Sequence, residues 1–235
     1  MADWITFWNS ANSIYVNARH RDVHYRTIAD DLAAYVPGKQ ALVIDYGCGE
    51  ALHADRVAAA AGKLILSDAA DTVRAGLTQR FAAVPNITVR SPDEIAATDD
   101  AQADLIVMHS VAQYLSEEQL RDVLSLFHRL LKPDGLFILG DVIPPGMSPV
   151  TDVTTLLRFA AHNGFFGAAL VGLARTVFSD YTRLRSTIGL SLYEEPKILA
   201  LLRAAGFNAA RDEENIGHNP ARMTFLARPR GPSGA

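Results

Sequence analysis

The sequence predicts an α/β architecture: a mostly parallel, seven-stranded sheet with helices on both faces and an antiparallel last strand. Three observations carry this expectation. Short apolar runs without polar alternation recur between residues 41 and 140, the pattern of strands buried on both faces. Helix-periodic stretches separate them, as right-handed crossovers between parallel neighbours require. The first run, Ala41–Tyr46, also feeds directly into a glycine pair, Gly47 and Gly49.

The elements follow in order. Residues 1–36 precede the first strand and carry Trp4, Phe7, Trp8, Tyr15, Arg19, His20, His24 and Tyr25, which reads as an N-terminal helical cap. Strands are predicted at Ala41–Tyr46, Lys63–Ser67, Ile87–Arg90, Ala103–Met108 and Gly135–Gly140. Between them, Leu52–Gly62 is alanine-rich, and Asp71–Ala83 repeats Val73, Leu77 and Phe81 at helical spacing. Ser116–Leu131 is the clearest helix: Ser116 and Gln119 form a capping box, and Leu120, Val123, Leu124, Phe127, Leu130 and Leu131 make its stripe. Lys132–Gly135 then reads as a turn.

After Asp141 the alternation stops, and residues 142–190 read as a helical insertion within a domain spanning 37–228. Ser148 and Pro149 can open a helix bearing Val153, Leu156, Leu157, Ala160 and Ala161. Gly164–Leu173 is apolar all round, and Arg175, Tyr181, Arg183 and Arg185 follow. Ser191 and Glu194 suggest a second capping box, for a helix closing at Gly206. Phe207–Glu213 and Arg222–Arg228 have the spacing of an antiparallel hairpin, and residues 229–235 read as a disordered tail.

Composition narrows the functional classes. The 235 residues are 49% hydrophobic and 20% charged with net charge −4, enough apolar content for a core and no basic field for nucleic acid. The single Cys48 excludes an internal disulfide or a cysteine-rich metal site and suits a reducing compartment. The N-terminus lacks a signal-peptide pattern, and the stretch 164–174 is too short to span a bilayer. The expectation is a cytoplasmic protein with no integral membrane segment.

The segment Val43–Ala51 is the most informative. A strand leading through Gly47-Cys48-Gly49 into a helix brings backbone close to a ligand. Asp68 ends the next strand about twenty residues on, the spacing of a ribose-binding acid. A dinucleotide loop wants a third glycine where Leu52 stands. Asp45 and Glu50 would repel a pyrophosphate and suit a ligand carrying an ammonium and a sulfonium.

These residues resemble the class I S-adenosylmethionine (SAM)-dependent methyltransferases, whose fold is Rossmann-like. Asp45-x-Gly47-Cys48-Gly49 is similar to their first motif, with Ala51 where a third glycine is common. Asp68, followed by Ala69, matches the acid on the cofactor ribose, and Ser91-Pro92-Asp93-Glu94 resembles the segment meeting the adenine. Asp104–His109 resembles the fourth strand, whose end lies beside the transferred methyl, and Leu131–Gly135 resembles the turn before the fifth. The resemblance implies SAM as cofactor, S-adenosylhomocysteine (SAH) as product, and Asp45, Gly47, Cys48, Gly49, Asp68, Ala69, Asp93, Glu94 and His109 as cofactor-binding residues. Cys48 reads as a small loop filler without chemistry.

Methyl transfer needs an aligned acceptor and, for a hydroxyl or protonated amine, a base. His20 and His24 share a helix face in the cap, and with His109 they are the candidate bases, against a reading as incidental helix histidines. No third ligand accompanies the His pair, so no metal site is expected. Tyr15, Tyr114, Arg175 and Tyr181 are the candidate acceptor-binding residues. The insertion reads as a lid with an apolar wall and cationic rim for an apolar or aromatic acceptor bearing an acidic group, or as a homodimer face through 150–190. His53, His128, His162 and His218 read as ordinary residues.

His109-Ser110-Val111-Ala112 is not the motif of amino-directed nucleic-acid methyltransferases, and a small-molecule acceptor methylated at oxygen, nitrogen or carbon is what remains. Two alternatives stand beside it. One is a SAM-binding regulatory protein without activity. The other is a short-chain oxidoreductase using NAD or NADP, disfavoured because Tyr181 is followed four residues later by Arg185 and not by lysine.

Overall fold

The structure is a computed structural model, and it describes residues 3–9, 15–147, 149–176 and 190–231. Helices α1 (Asp3–Trp8) and α2 (Ala18–Ala34) precede the sheet, in line with a helical N-terminal segment. The alternating core then runs β1 (Leu42–Tyr46), α3 (Ala54–Ala60), β2 (Lys63–Ser67), α4 (Asp71–Arg80), β3 (Ile87–Arg90), α5 (Pro92–Ala96) and β4 (Ala103–His109). A 3₁₀ turn (Ala112–Tyr114), α6 (Glu117–Leu130) and β5 (Leu131–Val142) follow. The chain continues through α7 (Pro149–Asn163), α8 (Phe166–Thr176), α9 (Glu195–Ala204), β6 (Phe207–Arg211) and β7 (Met223–Pro229).

The seven strands lie in the order β3-β2-β1-β4-β5-β7-β6. The first five pair in parallel, and β7 runs antiparallel to both β5 and β6. Alternate strand residues feed two cores. Ile44, Ile65, Ile106, Phe137 and Leu139 pack with α6 and α9 on one face. Val43, Leu64, Leu66, Leu105, Val107 and Ile138 pack with α2, α3 and α4 on the other. Both faces are covered, which is why these strands read as unbroken apolar runs.

Local signals hold where they are self-contained. Ser116 caps α6 as expected: Gln119 N–H donates to its Oγ at 3.2 Å, and its own N–H donates to Gln119 Oε1 at 2.8 Å. Three expectations need correction. Strand β5 begins at Leu131, and Lys132–Gly135 is looped out of the ladder between the pairs Ala103–Leu131 and Leu105–Leu136. Ser191 does not cap a helix, because its Oγ donates to Leu115 O (2.9 Å) and its N–H to Gln113 O (2.9 Å); Glu194 is the N-cap of α9. The expected tail begins too early: Pro229 pairs with Phe207 and Arg230 N–H bonds Gly206 O (2.8 Å), while the tail's residues 232–235 lie outside the described residues. Among the described residues no helix is long and apolar enough to cross a membrane.

The topology positions the site. The sheet order reverses between β1 and β4, and a crevice at such a switch point, at the C-terminal strand edge, is where open α/β sheets bind ligands. The β6–β7 loop returns to this same edge because β6 is parallel to β5.

Candidate active site

A cavity of about 1050 Å³ opens at that edge, lined by the glycine loop, the ends of β2, β4 and β5, the cap helices, α7 and the β6–β7 loop. The two glycine positions of the Gly47–Gly49 loop admit no side chain. Gly47 has φ +75°, and a Cβ there would stand 2.3 Å from Val111 Cγ2. Gly49 has φ +58°, and its Cβ would stand 2.9 Å from the Tyr25 hydroxyl. Ala51 adopts φ +39°, a left-handed conformation that glycine takes without strain.

Four consecutive loop N–H groups are already engaged. Gly47 and Cys48 donate to Ser67 O (2.7 and 3.0 Å), Gly49 to Asp68 Oδ2 (3.0 Å) and Glu50 to the Tyr25 hydroxyl (3.1 Å). A pyrophosphate nest needs such donors free. This loop instead presents acids. Burial, with the Asp68 charge nearby, pushes the Asp45 carboxyl up to about 7, and burial also raises Asp68 against the hydrogen bonds from Ala70 and Gly49. Carboxyls held above their usual range gain from a cation beside them. Asp68 also accepts from Ala70 N–H at 2.8 Å, which fixes its carboxylate at the cavity wall beside Ala69. Burial raises the Cys48 thiol well above its ordinary value, in keeping with a filler role.

The adenine-side expectation shifts. Glu94 is exposed, and its carboxylate accepts Ser91 N–H at 2.7 Å in a capping box that opens α5. Asp93 is exposed as well, and Pro92 is the residue of this segment that lines the cavity.

The cap closes over the loop. Tyr25 of α2 bonds the loop backbone, and burial pushes its hydroxyl up to about 12. Tyr15 packs 5.4 Å from both the His20 and His24 rings and 5.8 Å from Tyr25. Tyr114 stacks on Trp4 (6.0 Å, 25°) and meets Trp8 edge-on (6.4 Å), so the short helix α1 gives the cavity an aromatic wall. His20, His24 and His109 all line the cavity. His109 Nε2 lies 3.1 Å from Ile216 O, a carbonyl, so Nε2 carries the proton and the ring is tied to the β6–β7 loop.

Sequence reasoning missed part of the site. His218 lines the cavity 5.5 Å from His24 and stacks on Phe159 (4.5 Å, 25°), contrary to the expectation of an ordinary loop residue. Asp141, at the end of β5 with φ +61°, accepts from Ser110 Oγ (2.5 Å) and Arg222 Nη1 (2.6 Å). Arg222, His109 and Ser110 together hold its carboxyl below the usual range against burial. Ser110 is itself left-handed (φ +58°), so two non-glycine residues are strained side by side at adjacent strand ends, a pattern that clusters at functional sites. The one signal available beforehand was the antiparallel last strand, which brings residues 212–222 to the active edge.

Of the insertion, Val153 and Leu156 of α7 line the cavity, whereas Phe166, Leu170 and Val171 of α8 are exposed. Tyr181, Arg183 and Arg185 lie outside the described residues. Arg175 falls on α8, but its side chain is outside them too. His53 meets Asp22 at 2.8 Å, His128 packs edge-on against Phe207, and His162 bonds its own helix backbone at Arg158 O.

Comparison with known proteins agrees with this geometry. Residues 43–135, from β1 into β5, match the family model described as a methyltransferase domain. No curated protein matches the sequence. Among solved structures, magnesium protoporphyrin IX methyltransferase from Synechocystis PCC 6803 with bound SAH is 18% identical, covering 97% of this chain and 93% of its own at TM-score 0.60. The DhpI–SAH complex is 12% identical over 97% of this chain and 96% of its own, at TM-score 0.62. Human N-acetylserotonin methyltransferase with SAM is 15% identical over 89% of this chain and 52% of its own, at TM-score 0.55. SAM is the cofactor of this domain class, and the two glycine positions that exclude a Cβ, the fixed Asp68 carboxylate and the cation-favouring Asp45 fit it. Residues 43–135 are therefore a methyltransferase domain, carried by this chain within the class I SAM-dependent methyltransferase fold.

Proposed function

We propose that the protein methylates a small, aromatic-faced acceptor at oxygen, nitrogen or carbon, in the cavity between the glycine loop and the helical cap. The observation that carries this reading is the continuity of that cavity. About 1050 Å³ runs from Gly47, Gly49 and Asp68 to Trp4, Trp8, Tyr15 and Tyr114, at the top of the roughly 300–1,000 Å³ range of small-molecule sites. That is room for a cofactor and an acceptor together.

Bound SAM supplies an electrophilic methyl group on a cationic sulfur. On this reading Gly47, Cys48 and Gly49 pass along the cofactor, Asp68 with Ala69 holds its ribose, and Asp45 balances its positive charge. His109 lines the methyl-transfer end. Asp93 and Glu94 leave the cofactor set because both are exposed and Glu94 caps α5. Tyr15 and Tyr114 orient the acceptor between aromatic rings, and α1, α2 and α7 exclude water. His24, uncharged through burial, is placed to take a proton from a hydroxyl or amine acceptor, whereas His20 accepts Val16 N–H at Nδ1 and keeps its own proton on Nε2, so it leaves the set of bases. The acidic group expected on the acceptor rested on Arg175, Arg183 and Arg185. Among the described residues the guanidinium lining the cavity is Arg222, which already bonds Asp141.

The test is SAH formation from SAM across aromatic hydroxyl, amine and carbon-acid compounds, followed by mass spectrometry. SAH with a methylated product supports the reading. SAM binding without turnover across all three classes favours a regulatory SAM-binding protein instead.

A further inference from the structure

Three imidazoles meet at the β4–β5 side of the cavity. His20 and His24 come from α2 and His218 from the β6–β7 loop, with ring centroids 6.4 Å (His20–His24), 6.3 Å (His20–His218) and 5.5 Å (His24–His218) apart. The rings stand edge-to-face at 73–85°, and among the described residues no group of three His, Cys, Asp or Glu is placed to hold a metal ion. Aromatic packing fixes them: His20 stacks on Phe165 (5.0 Å, 18°) and His218 on Phe159 (4.5 Å, 25°), both from the helical insertion.

Their hydrogen-bonding state follows from their partners. Val16 N–H donates to His20 Nδ1 at 3.3 Å, so that nitrogen is bare and the proton sits on Nε2. His24 Nδ1 is buried without a partner. Burial lowers His20 to about 4 and lowers His24 and His218 as well, so all three are uncharged at neutral pH. Among the described residues the guanidinium that lines the cavity, Arg222, is bonded to Asp141. This wall offers neutral donors and acceptors beside flat aromatic surface. It matches a ring whose polar group is itself neutral and both donates and accepts, as a phenolic hydroxyl does. A carboxylate would lose its hydration without meeting an imidazolium.

We propose that His20, His24 and His218 form the recognition wall for an uncharged planar aromatic hydroxyl compound as the methyl acceptor, with His218 a specificity residue. This deepens the methyl-transfer reading and rests on it.

The test uses the full chain, with and without saturating SAH, titrated with 2-naphthol and with 2-naphthoate by fluorescence at neutral pH. The two probes share a ring and differ in charge. Preference for naphthol by at least tenfold is expected. His218→Ala should weaken naphthol at least tenfold and leave SAH affinity, read by calorimetry, within twofold. His218→Gln, which keeps a neutral donor and acceptor, should recover part of the loss, and thermal melts identify any variant that fails to fold. Equal or tighter binding of naphthoate, or naphthol affinity unaffected by both His218 variants, overturns the proposal. If SAH fails to bind, the methyl-transfer reading falls, and the naphthol preference of the SAH-free chain still decides the wall. If SAH binds and the preference is missing, the wall alone falls.

Discussion

Replacing Asp68 with asparagine isolates the charge at the end of β2 from its shape. In the native chain one carboxylate oxygen accepts Gly49 N–H at 3.0 Å and the other accepts Ala70 N–H at 2.8 Å. An amide has one acceptor oxygen, so one of these N–H groups would face an NH₂ and lose its partner, which costs about 1–3 kcal/mol for a buried donor. At about 2–4 °C per kcal/mol for a chain of this size, the melting temperature should fall by roughly 2–12 °C. The ligand loses more. Two ribose hydroxyls that would donate to a carboxylate meet a neutral group, and at about 1 kcal/mol or more each SAH affinity should drop roughly 30- to 100-fold. Calorimetric titration with SAH and a thermal melt of the same sample read both effects. An Asp68→Asn variant that binds SAH within threefold of wild type, with an unchanged melt, would refute the assignment of Asp68 to both the loop and the cofactor.

Further outcomes follow from the loop and the buried charges. Ala51→Gly should move the melting temperature by no more than roughly 3 °C on a thermal melt: relief of left-handed alanine, about 1–2 kcal/mol, is offset by the added freedom of the unfolded chain, about 0.4–1 kcal/mol, and by the lost burial of its methyl, about 0.8 kcal/mol. Gly47→Ala should destabilise by about 2 kcal/mol or more through contact with Val111 Cγ2, with part of the loss recovered in a Gly47→Ala/Val111→Ala double variant on denaturant unfolding. Asp45 sets a pH dependence. Its carboxyl lies at about 7 in the folded chain against 3.8 normally, so the native state keeps a proton that the unfolded state has released between these values. Stability from this group therefore falls as pH rises through that window. A cation favours the ionised form, so SAM binding should release protons near pH 7 and weaken below it. SAH, lacking the sulfonium, should release fewer, and calorimetry in buffers of different ionisation heat measures the difference.

How much was legible follows the range of the determining contacts. Strands β1, β2 and β4 are readable because burial on both faces leaves a mostly apolar run, and the α6 cap because Ser116 and Gln119 satisfy each other within one turn. Ser191 carries the same local signal, yet contacts with Gln113 and Leu115 claim it. The glycine loop and Asp68 are legible for the same reason as the α6 cap: they lie within two neighbouring strand ends. The imidazole end is not. His218 reaches His24 from the far end of the chain, and Arg222 meets Asp141 across 81 residues. No spacing rule links such positions. The antiparallel return of β7 puts them on the active edge, and the strain at Ser110 and Asp141 is visible only once φ is known.

The most direct test of the account is a calorimetric comparison of SAM, SAH, NAD and NADP binding to the purified chain. Saturable binding of SAM and SAH alone is predicted, because the loop N–H groups are engaged within the protein and the acids beside them favour a cation. Tighter binding of NAD or NADP than of either sulfur compound would contradict the reading of Gly47–Gly49 on which the site is built.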